Sequence, residues 1–183
     1  NVNVVRANIE TAGNILNGLS HLFRFKQNAN QQATLFNIAF AQYVKFDVDY
    51  THLICFDARN ALAMHMGLGI AWPYGNNTIL PFEKRYFSGG ANSVRGWSVR
   101  ELGPGKFKGS GGRIDFINQT GDIKLDLNVE YRTYLFWKFN GAAFIDAGNI
   151  WTLRNYVDQP GGQFKFETFY KQIAVSYGLG LRL

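Results

Sequence analysis

The stretch LPFEKRYFSGGANSVRGWSVRELGPG, residues 80–105, is the longest part of the chain that is neither periodic nor simply polar. The chain on both sides of it alternates apolar and polar residues, as β-strands do. Loops of this length inside a compact domain are uncommon, and they are usually functional or disordered. The Phe, Tyr and Trp residues of the stretch argue against disorder, because disordered segments are poor in aromatic residues. We therefore expect a structured, functional loop in the middle of a β-protein.

Composition limits the classes of protein that fit. The 183 residues suit one domain, and 46% hydrophobic with 16% aromatic residues is typical of a β-rich fold. The mean hydropathy is −0.15, and no apolar run approaches the ~20 residues of a membrane helix, which excludes helical spanning only. The net charge is +6, but Lys and Arg are scattered, so no nucleic-acid partner is expected. The single cysteine, Cys55, excludes an internal disulfide and a multi-cysteine zinc site.

Period-two alternation predicts six strands joined as an antiparallel meander. They span residues 2–12, 34–56, 61–72, 121–135, 141–151 and 170–183. The second is longer than the ~9–11 residues that cross a bilayer, so we expect it to project beyond the membrane or to break at a bulge. Residues 13–32 are predicted to be a loop with an apolar patch at 19–25, and Asn140-Gly141 is predicted to form a hairpin turn.

The fourth predicted strand has one apolar and one charged face. Its apolar face includes Ile123, Leu125, Leu127, Val129 and Tyr131. Its other face carries a charged cluster that we expect to line a barrel lumen: Asp122, Lys124, Asp126, Glu130 and Arg132. A transmembrane barrel alternates in this way between lipid and lumen.

Loop lengths favour a membrane barrel over a soluble β-sandwich. Connections after strands one, three and five are long, and those after two and four are short, which is typical of outer-membrane barrels. Aromatic residues are expected to form two interfacial girdles, Trp72 and Trp151 at the long-loop end and Phe56, Phe136 and Trp137 at the other. A sandwich explains the alternation equally well but neither of these features. Because the smallest bacterial barrels have about eight strands, we expect the chain to be part of a larger barrel.

The run Val94-Arg95-Gly96-Trp97 has two interpretations. It could be a simple turn, because glycine permits positive φ. Alternatively the loop folds into the lumen and buries Arg95 against a carboxylate, since an unpaired buried charge is costly. The candidate partners on the expected lumen face are Asp146, Glu130, Asp126 and Asp122.

Two motifs resemble those of a known family. Residues 80–97, with RELGPG after them, resemble the sixth extracellular loop of the Omp85 superfamily of outer-membrane assembly and translocation barrels. Phe144-Ile145-Asp146-Ala147-Gly148 resembles the second signature of that superfamily, (F/G)xDxG, in which Phe144, Asp146 and Gly148 are the matching positions. The resemblance covers residues 61–183 and is strongest to the BamA- and TamA-like branches, including the bacterial surface antigen domain. Trp97 departs from the commoner Phe or Tyr.

The resemblance implies an all-β, roughly sixteen-stranded barrel in the bacterial outer membrane, with N-terminal POTRA domains. Residues 1–183 would be a partial barrel domain, with a long extracellular loop at 73–120. The resemblance also implies that Arg95 pairs with Asp146 inside the lumen, a contact that we call the latch. The implied partners are outer-membrane lipids, client β-barrel or secreted proteins, and periplasmic or lipoprotein accessory subunits.

The implied function is non-enzymatic insertion or translocation of proteins at the outer membrane. The alternatives are a passive pore or two-partner-secretion transporter with the same fold, and a soluble β-sandwich binding module. Enzymatic interpretations are weak, because His21, His52 and His65 lack ligand spacing and no GxSxG motif occurs. Residues 103–110 are glycine-rich but lack the order of a phosphate-binding loop, so we expect a mobile loop there. No cofactor or metal is predicted.

Overall fold

The computed structural model describes residues 1–23, 25–29, 32–36, 38–109, 111 and 113–182. Its strands are β1 (Val2–Ala12), β2 (Thr34–Leu35), β3 (Ile38–Ala39), β4 (Tyr43–Cys55), β5 (Asn60–Pro73), β6 (Ile123–Phe136), β7 (Phe139–Trp151) and β8 (Ala174–Arg182). Strands β2 and β3 form a separate hairpin, and the other six pair antiparallel in the order β1-β4-β5-β6-β7-β8. The predicted six-stranded meander is thereby confirmed, as a sheet that does not close on itself within this chain.

The two faces of the large sheet are the reverse of those in a soluble sandwich. Apolar side chains such as Met66, Val129 and Ile145 are exposed on one face. Asp126 and Asp146, on the other face, are buried beneath the segment that connects β5 to β6. A sandwich would bury the apolar face and expose the polar one, whereas a membrane barrel presents its apolar face to lipid.

The predicted second strand is three elements, and the polar Gln42 interrupts its alternation just before β4. Phe36 has φ 51°, which turns the chain between β2 and β3. Gln42 is buried, and its Oε1 accepts a hydrogen bond of 2.7 Å from the backbone N–H of Asn76. This polar contact holds the chain in an irregular path before β4 begins.

The predicted loop 13–32 contains an α-helix, α1 (Asn14–Phe23). Two short 3-10 helices also occur, at Phe82–Lys84 and Phe169–Gln172. The second of these delays the last strand, which begins at Ala174 rather than at residue 170. Leu183, the predicted end of that strand, lies outside the described residues, as do Arg24 in the predicted apolar patch and the side chain of His21. In the described part of the chain, no helix has the length and apolar character needed to cross a bilayer.

The turn between β6 and β7 was predicted at the wrong place. It lies at Trp137-Lys138, with Trp137 at φ 53°, and Asn140 is already paired within β7 opposite Tyr134. Phe136 and Phe139 stand opposite each other and their rings contact at a centroid distance of 5.4 Å. Cross-strand aromatic pairing therefore outweighs the local turn preference of Asn-Gly here.

The predicted aromatic girdles are correct in part. Trp72 at one end of the sheet, and Phe56, Phe136 and Trp137 at the other, are exposed. Trp151 is buried instead, and its Nε1 donates a 2.7 Å hydrogen bond to the side chain of Gln172. Phenylalanines from the connection between β7 and β8 cover its indole ring, which a strand pattern does not reveal.

Candidate functional site

The connection between β5 and β6, residues 74–122, packs on the polar face of the sheet. It contributes buried apolar side chains, among them Leu80, Val94 and Leu102. A glycine in β7 leaves space for the loop, because a Cβ at Gly148 would lie 3.1 Å from a methyl group of Val94. The loop therefore fills space that larger side chains on the strands would otherwise occupy.

Arg95 is held at the centre of this loop by two carboxylates. Its Nε donates to Oδ2 of Asp146 at 2.6 Å and its second terminal nitrogen donates to Oδ1 at 2.7 Å, so the pair is bidentate. The other terminal nitrogen donates to Oε2 of Glu130 at 2.5 Å. The guanidinium also stacks on Phe144, 3.6 Å from the ring centre. Bidentate, charge-assisted contacts of this kind fix orientation as well as position.

The register of β6, β7 and β8 sets the position of Asp146, the carboxylate that binds Arg95. Asp146 in β7 stands opposite Asn128 in β6 and Ser176 in β8, and it is fully buried. The backbone N–H of Arg95 donates to Asp146 at 3.1 Å, and the side-chain amide of Asn128 donates to it at 2.9 Å. The same amide donates to the carbonyl of Ser93 at 2.7 Å. Asp146 thus accepts hydrogen bonds from both the guanidinium and the backbone N–H of Arg95.

Glu130 belongs to the same cluster but has further cationic partners. Arg132 and Arg182 each donate to its Oε1 at 2.8 Å, while Arg95 donates to its other oxygen. Three guanidinium groups therefore share two carboxylates at this point. The hydrogen bonds, that to Asp146 above all, raise the pKa of Arg95 although its partial burial opposes the shift. Arg95 accordingly stays charged.

The remaining charged residues predicted on the lumen face have other partners. Asp126 accepts a 2.7 Å hydrogen bond from the hydroxyl of Ser93 and an ion pair from Lys124 at 2.8 Å. Asp122 is buried just before β6 and accepts the backbone N–H of Leu153 at 3.0 Å. Burial raises the pKa of Asp122. The four carboxylates considered as partners of Arg95 are therefore divided, with Asp146 and Glu130 on Arg95 and the other two elsewhere.

The neighbours of Arg95 show why small and apolar residues flank it. A Cβ at Gly96 would lie 2.6 Å from the Cβ of Ser176, so a side chain there would collide with β8. The backbone N–H of Trp97 donates to the carbonyl of Val94 at 3.2 Å, which closes a tight turn around the arginine. The tight turn at residues 94–97 therefore also directs Arg95 onto the polar face of the sheet.

A second contact of the loop was missed by the sequence analysis. The ring of Tyr86 lies over Gly69 of β5, where an added Cβ would come within 2.5 Å of a ring carbon. The hydroxyl of Tyr86 donates to Asp47 at 2.5 Å. We call Tyr86 with Gly69 and Asp47 the outer anchor. The small face of β5 was the available signal, although it does not say which aromatic residue occupies the space.

The glycine-rich stretch at residues 103–110, within the same loop, is more ordered than predicted. Residues 102–104 and Phe107 are buried. The N–H of Gly105 donates to the carbonyl of Ile150 at 2.7 Å, and that of Lys106 donates to Gly161 at 3.1 Å. The mobile-loop prediction is therefore wrong for residues 103–107, and Ser110 lies outside the described residues.

Comparison with known proteins identifies the family of the chain. A model of the Omp85 superfamily domain matches residues 3–183. The chain belongs to the Omp85 superfamily. The outer membrane protein assembly factor BamA of Neisseria meningitidis serogroup B is 31% identical over 100 residues, which is 50% of this chain and 12% of that protein. The chain therefore spans a small part of this relative.

A solved structure shows the same fold. It is a crystal structure of BamA from Haemophilus ducreyi lacking POTRA domains 1–3, with a TM-score of 0.57 and 19% identity. The match covers 76% of this chain and 28% of that one. The Omp85 family and the barrel fold place the chain in the bacterial outer membrane. The apolar face of the sheet is consequently its lipid face.

Proposed function

We propose that the full-length protein inserts or translocates proteins at the outer membrane, and that this chain supplies the part of the barrel where the latch holds the loop. The observation that carries the proposal is the buried, bidentate contact of Arg95 with Asp146, reinforced by Glu130. Membership of the Omp85 superfamily and similarity to an assembly factor support the function at the level of the family.

The role assigned to the latch is structural rather than catalytic. Arg95 stays protonated and both carboxylates are occupied by hydrogen bonds, so none of the three is free to transfer a proton. The latch instead fixes the loop against β6 and β7 and thereby holds the barrel wall in one arrangement. Clients would be accepted elsewhere, by strand pairing at a seam between barrel strands, because an unpaired edge offers free backbone N–H and C=O groups.

The implied partners follow from the same proposal. Outer-membrane lipids contact the exposed apolar face that includes Met66, Val129 and Ile145. Client β-barrel or secreted proteins pair at the seam, and periplasmic or lipoprotein subunits bring them there. A passive pore is the competing function, and it needs an open lumen. The packed loop on the polar face favours assembly over free permeation.

The test uses the full-length protein reconstituted in liposomes. Arg95→Ala should lower the rate of client insertion at least tenfold and abolish the mobility difference between heated and unheated protein on gels. Arg100→Ala is the matched control, because Arg100 lies in the same loop and stacks on Phe82 and Phe87 instead of binding these carboxylates. Unchanged client insertion by Arg95→Ala would overturn the proposal. If the wild type conducts ions through liposomes but inserts no client protein, the passive pore is favoured instead.

A further inference from the structure

Helix α1, in the connection between β1 and β4, has its apolar face turned away from the protein. Ile15, Leu19, Leu22 and Phe23 are 81, 37, 74 and 67% exposed. With Gly18, which has no neighbouring atom within 4 Å, they occupy positions i, i+3, i+4, i+7 and i+8, and so form one continuous stripe. A helix on the surface of a soluble domain would turn this stripe inward.

The opposite face of α1 is the one that packs on the protein. Ser20 is buried, and Leu16 and Asn17 are half-buried. The hydroxyl of Ser20 donates to the carbonyl of Asn17 at 2.7 Å, so this polar group is satisfied within the helix. The orientation of α1 is therefore set by contacts on its mostly polar side, which leaves the apolar stripe available.

Contacts at the start of α1 fix its height relative to the membrane. Ala12, the last residue of β1, stands opposite Tyr43, which stands opposite Pro73. Trp72 precedes Pro73 and is an exposed, outward-facing residue of the kind found at membrane interfaces. The hydroxyl of Tyr74 donates to the side chain of Asn14 at 2.5 Å. At ~3.3 Å per residue, α1 starts within about 10 Å of the Trp72 level.

This height corresponds to the lipid headgroups. The hydrocarbon core of a bilayer is about 30 Å thick, and headgroups extend it to about 40–45 Å, which leaves a layer of several ångströms beyond the Trp72 level. Amphipathic helices that lie on membranes bury their apolar face about 5–10 Å into this boundary. The start of α1, with Ile15 at the beginning of the stripe, therefore lies at the edge of the lipid face of the sheet.

We propose that α1 lies in the outer surface of the membrane as an interfacial helix, with the stripe of Ile15, Leu19, Leu22 and Phe23 inserted among lipid acyl chains. The helix itself contains no Asp, Glu, Lys or Arg, so apolar area rather than charge drives the insertion. Phe36 and Ile38, on the β2–β3 hairpin of the same connection, are also exposed and extend the apolar surface of this segment. The inference rests on the membrane location of the barrel and is independent of its assembly activity.

The experiment measures the depth of spin labels in the full-length protein in lipid nanodiscs. Labels are placed by Ile15→Cys and by Leu22→Cys in a cysteine-free background that includes Cys55→Ser. Leu68→Cys, on the lipid face of β5, is the reference for the bilayer. Asn155→Cys is the matched control, because Asn155 is exposed in another connection at the same end of the sheet. Collision rates are measured with oxygen, which dissolves in lipid, and with a nickel chelate, which stays in water.

The expected result is an oxygen-to-nickel ratio at residues 15 and 22 that is at least threefold above that at residue 155 and closer to that at residue 68. Raising the salt concentration should leave the ratio unchanged, because no charge takes part. A ratio equal to that at residue 155 would place α1 in water and overturn the proposal. Low collision rates with both reagents would show that protein covers the stripe, which would overturn it equally.

Discussion

The latch and the outer anchor hold the same loop by opposite means. At the latch, Arg95 is placed by charge, with two carboxylates on neighbouring strands around one guanidinium. At the outer anchor, Tyr86 is placed by the absence of a side chain at Gly69, and a single hydroxyl contact to Asp47 completes it. One contact selects its partner by chemistry and the other by shape.

This difference predicts how much stability is lost when each contact is disrupted by substitution. Removing one partner of a buried charge cluster leaves the others desolvated and unpaired, so the cost exceeds the value of the bond that is lost. Filling a glycine site forces a ring or a strand to move, at a cost set by how far the surroundings can adjust. The latch should therefore be the more sensitive of the two, and substitutions on both sides test that order.

The largest effect is expected for Arg95→Ala. The substitution leaves Asp146 fully buried without its cation, and Glu130 retains only Arg132 and Arg182. We expect the free energy of unfolding to fall by about 3–5 kcal/mol, the usual cost of removing one partner from a buried pair. Urea unfolding of the full-length protein in lipid vesicles, followed by tryptophan fluorescence, measures it.

Arg100→Ala provides the comparison for that measurement. Its guanidinium stacks on two phenylalanine rings, and we expect the free energy of unfolding to fall by about 1 kcal/mol. Equal losses for the two variants would mean that the latch carboxylates contribute nothing beyond ordinary packing.

Gly69→Ala should have the second largest effect. The added methyl group would lie 2.5 Å from the ring of Tyr86, so the ring must leave its place. Overpacking of this kind costs about 1–3 kcal/mol, measured as above. Gly180→Ala is the control on the same face, since its nearest contact would be an ordinary 3.9 Å. If the two alanines are equally tolerated, Tyr86 is not held by the shape of β5.

Tyr86→Phe isolates the hydroxyl from the shape of the ring. It removes the hydrogen bond to Asp47 and keeps the packing on Gly69. We expect a loss of about 1.5 kcal/mol, the lower end for a hydrogen bond to a charged group, because Asp47 is only half-buried. The double variant with Gly69→Ala should cost less than the sum of the single changes, because both act on one contact. Fully additive losses of stability would show that the Tyr86 hydroxyl and the Gly69 site act independently.

The smallest expected effect is a pH dependence of the free energy of unfolding that comes from Asp122. This residue follows Gly121, which forms a β-bridge with Tyr86. Burial raises the pKa of Asp122 above its ordinary value of 3.8, so the folded state holds this proton to higher pH than the unfolded state does. The resulting stabilisation is complete below the unfolded pKa and is lost as pH rises through the folded pKa. Asp122→Asn should therefore gain stability relative to the wild type as pH rises from about 4.

Unfolding midpoints of both proteins across pH 4–7 measure this difference. Asp158→Asn, at an exposed carboxylate in the connection between β7 and β8, is the control and should follow the wild type at every pH. A constant offset between Asp122→Asn and the wild type would show that the carboxyl group has the same pKa in both states.

The sheet was predictable because alternation is a local property. Ile123, Leu125 and Leu127 against Lys124, Asp126 and Asn128 identify a two-faced strand without knowledge of its neighbours. The same locality explains the errors. Asn140-Gly141 has the composition of a turn, but the pairing of Phe136 with Phe139 moves the turn by three residues. Trp151 has the position of an interfacial residue, but the next connection covers it.

The sequence by itself determined the period of the strands, the length of the connections and, through two motifs, the pairing of Arg95 with Asp146 as an expectation. Only the tertiary structure decided that Glu130 shares Arg95 while Asp126 and Asp122 do not, that Tyr86 fills the space at Gly69, and that α1 turns its apolar stripe outward. The physical reason is that the alternation of a strand by itself decides on which face of the sheet each of its side chains lies. The partner of a side chain depends on the register of three strands and on the path of a loop between them.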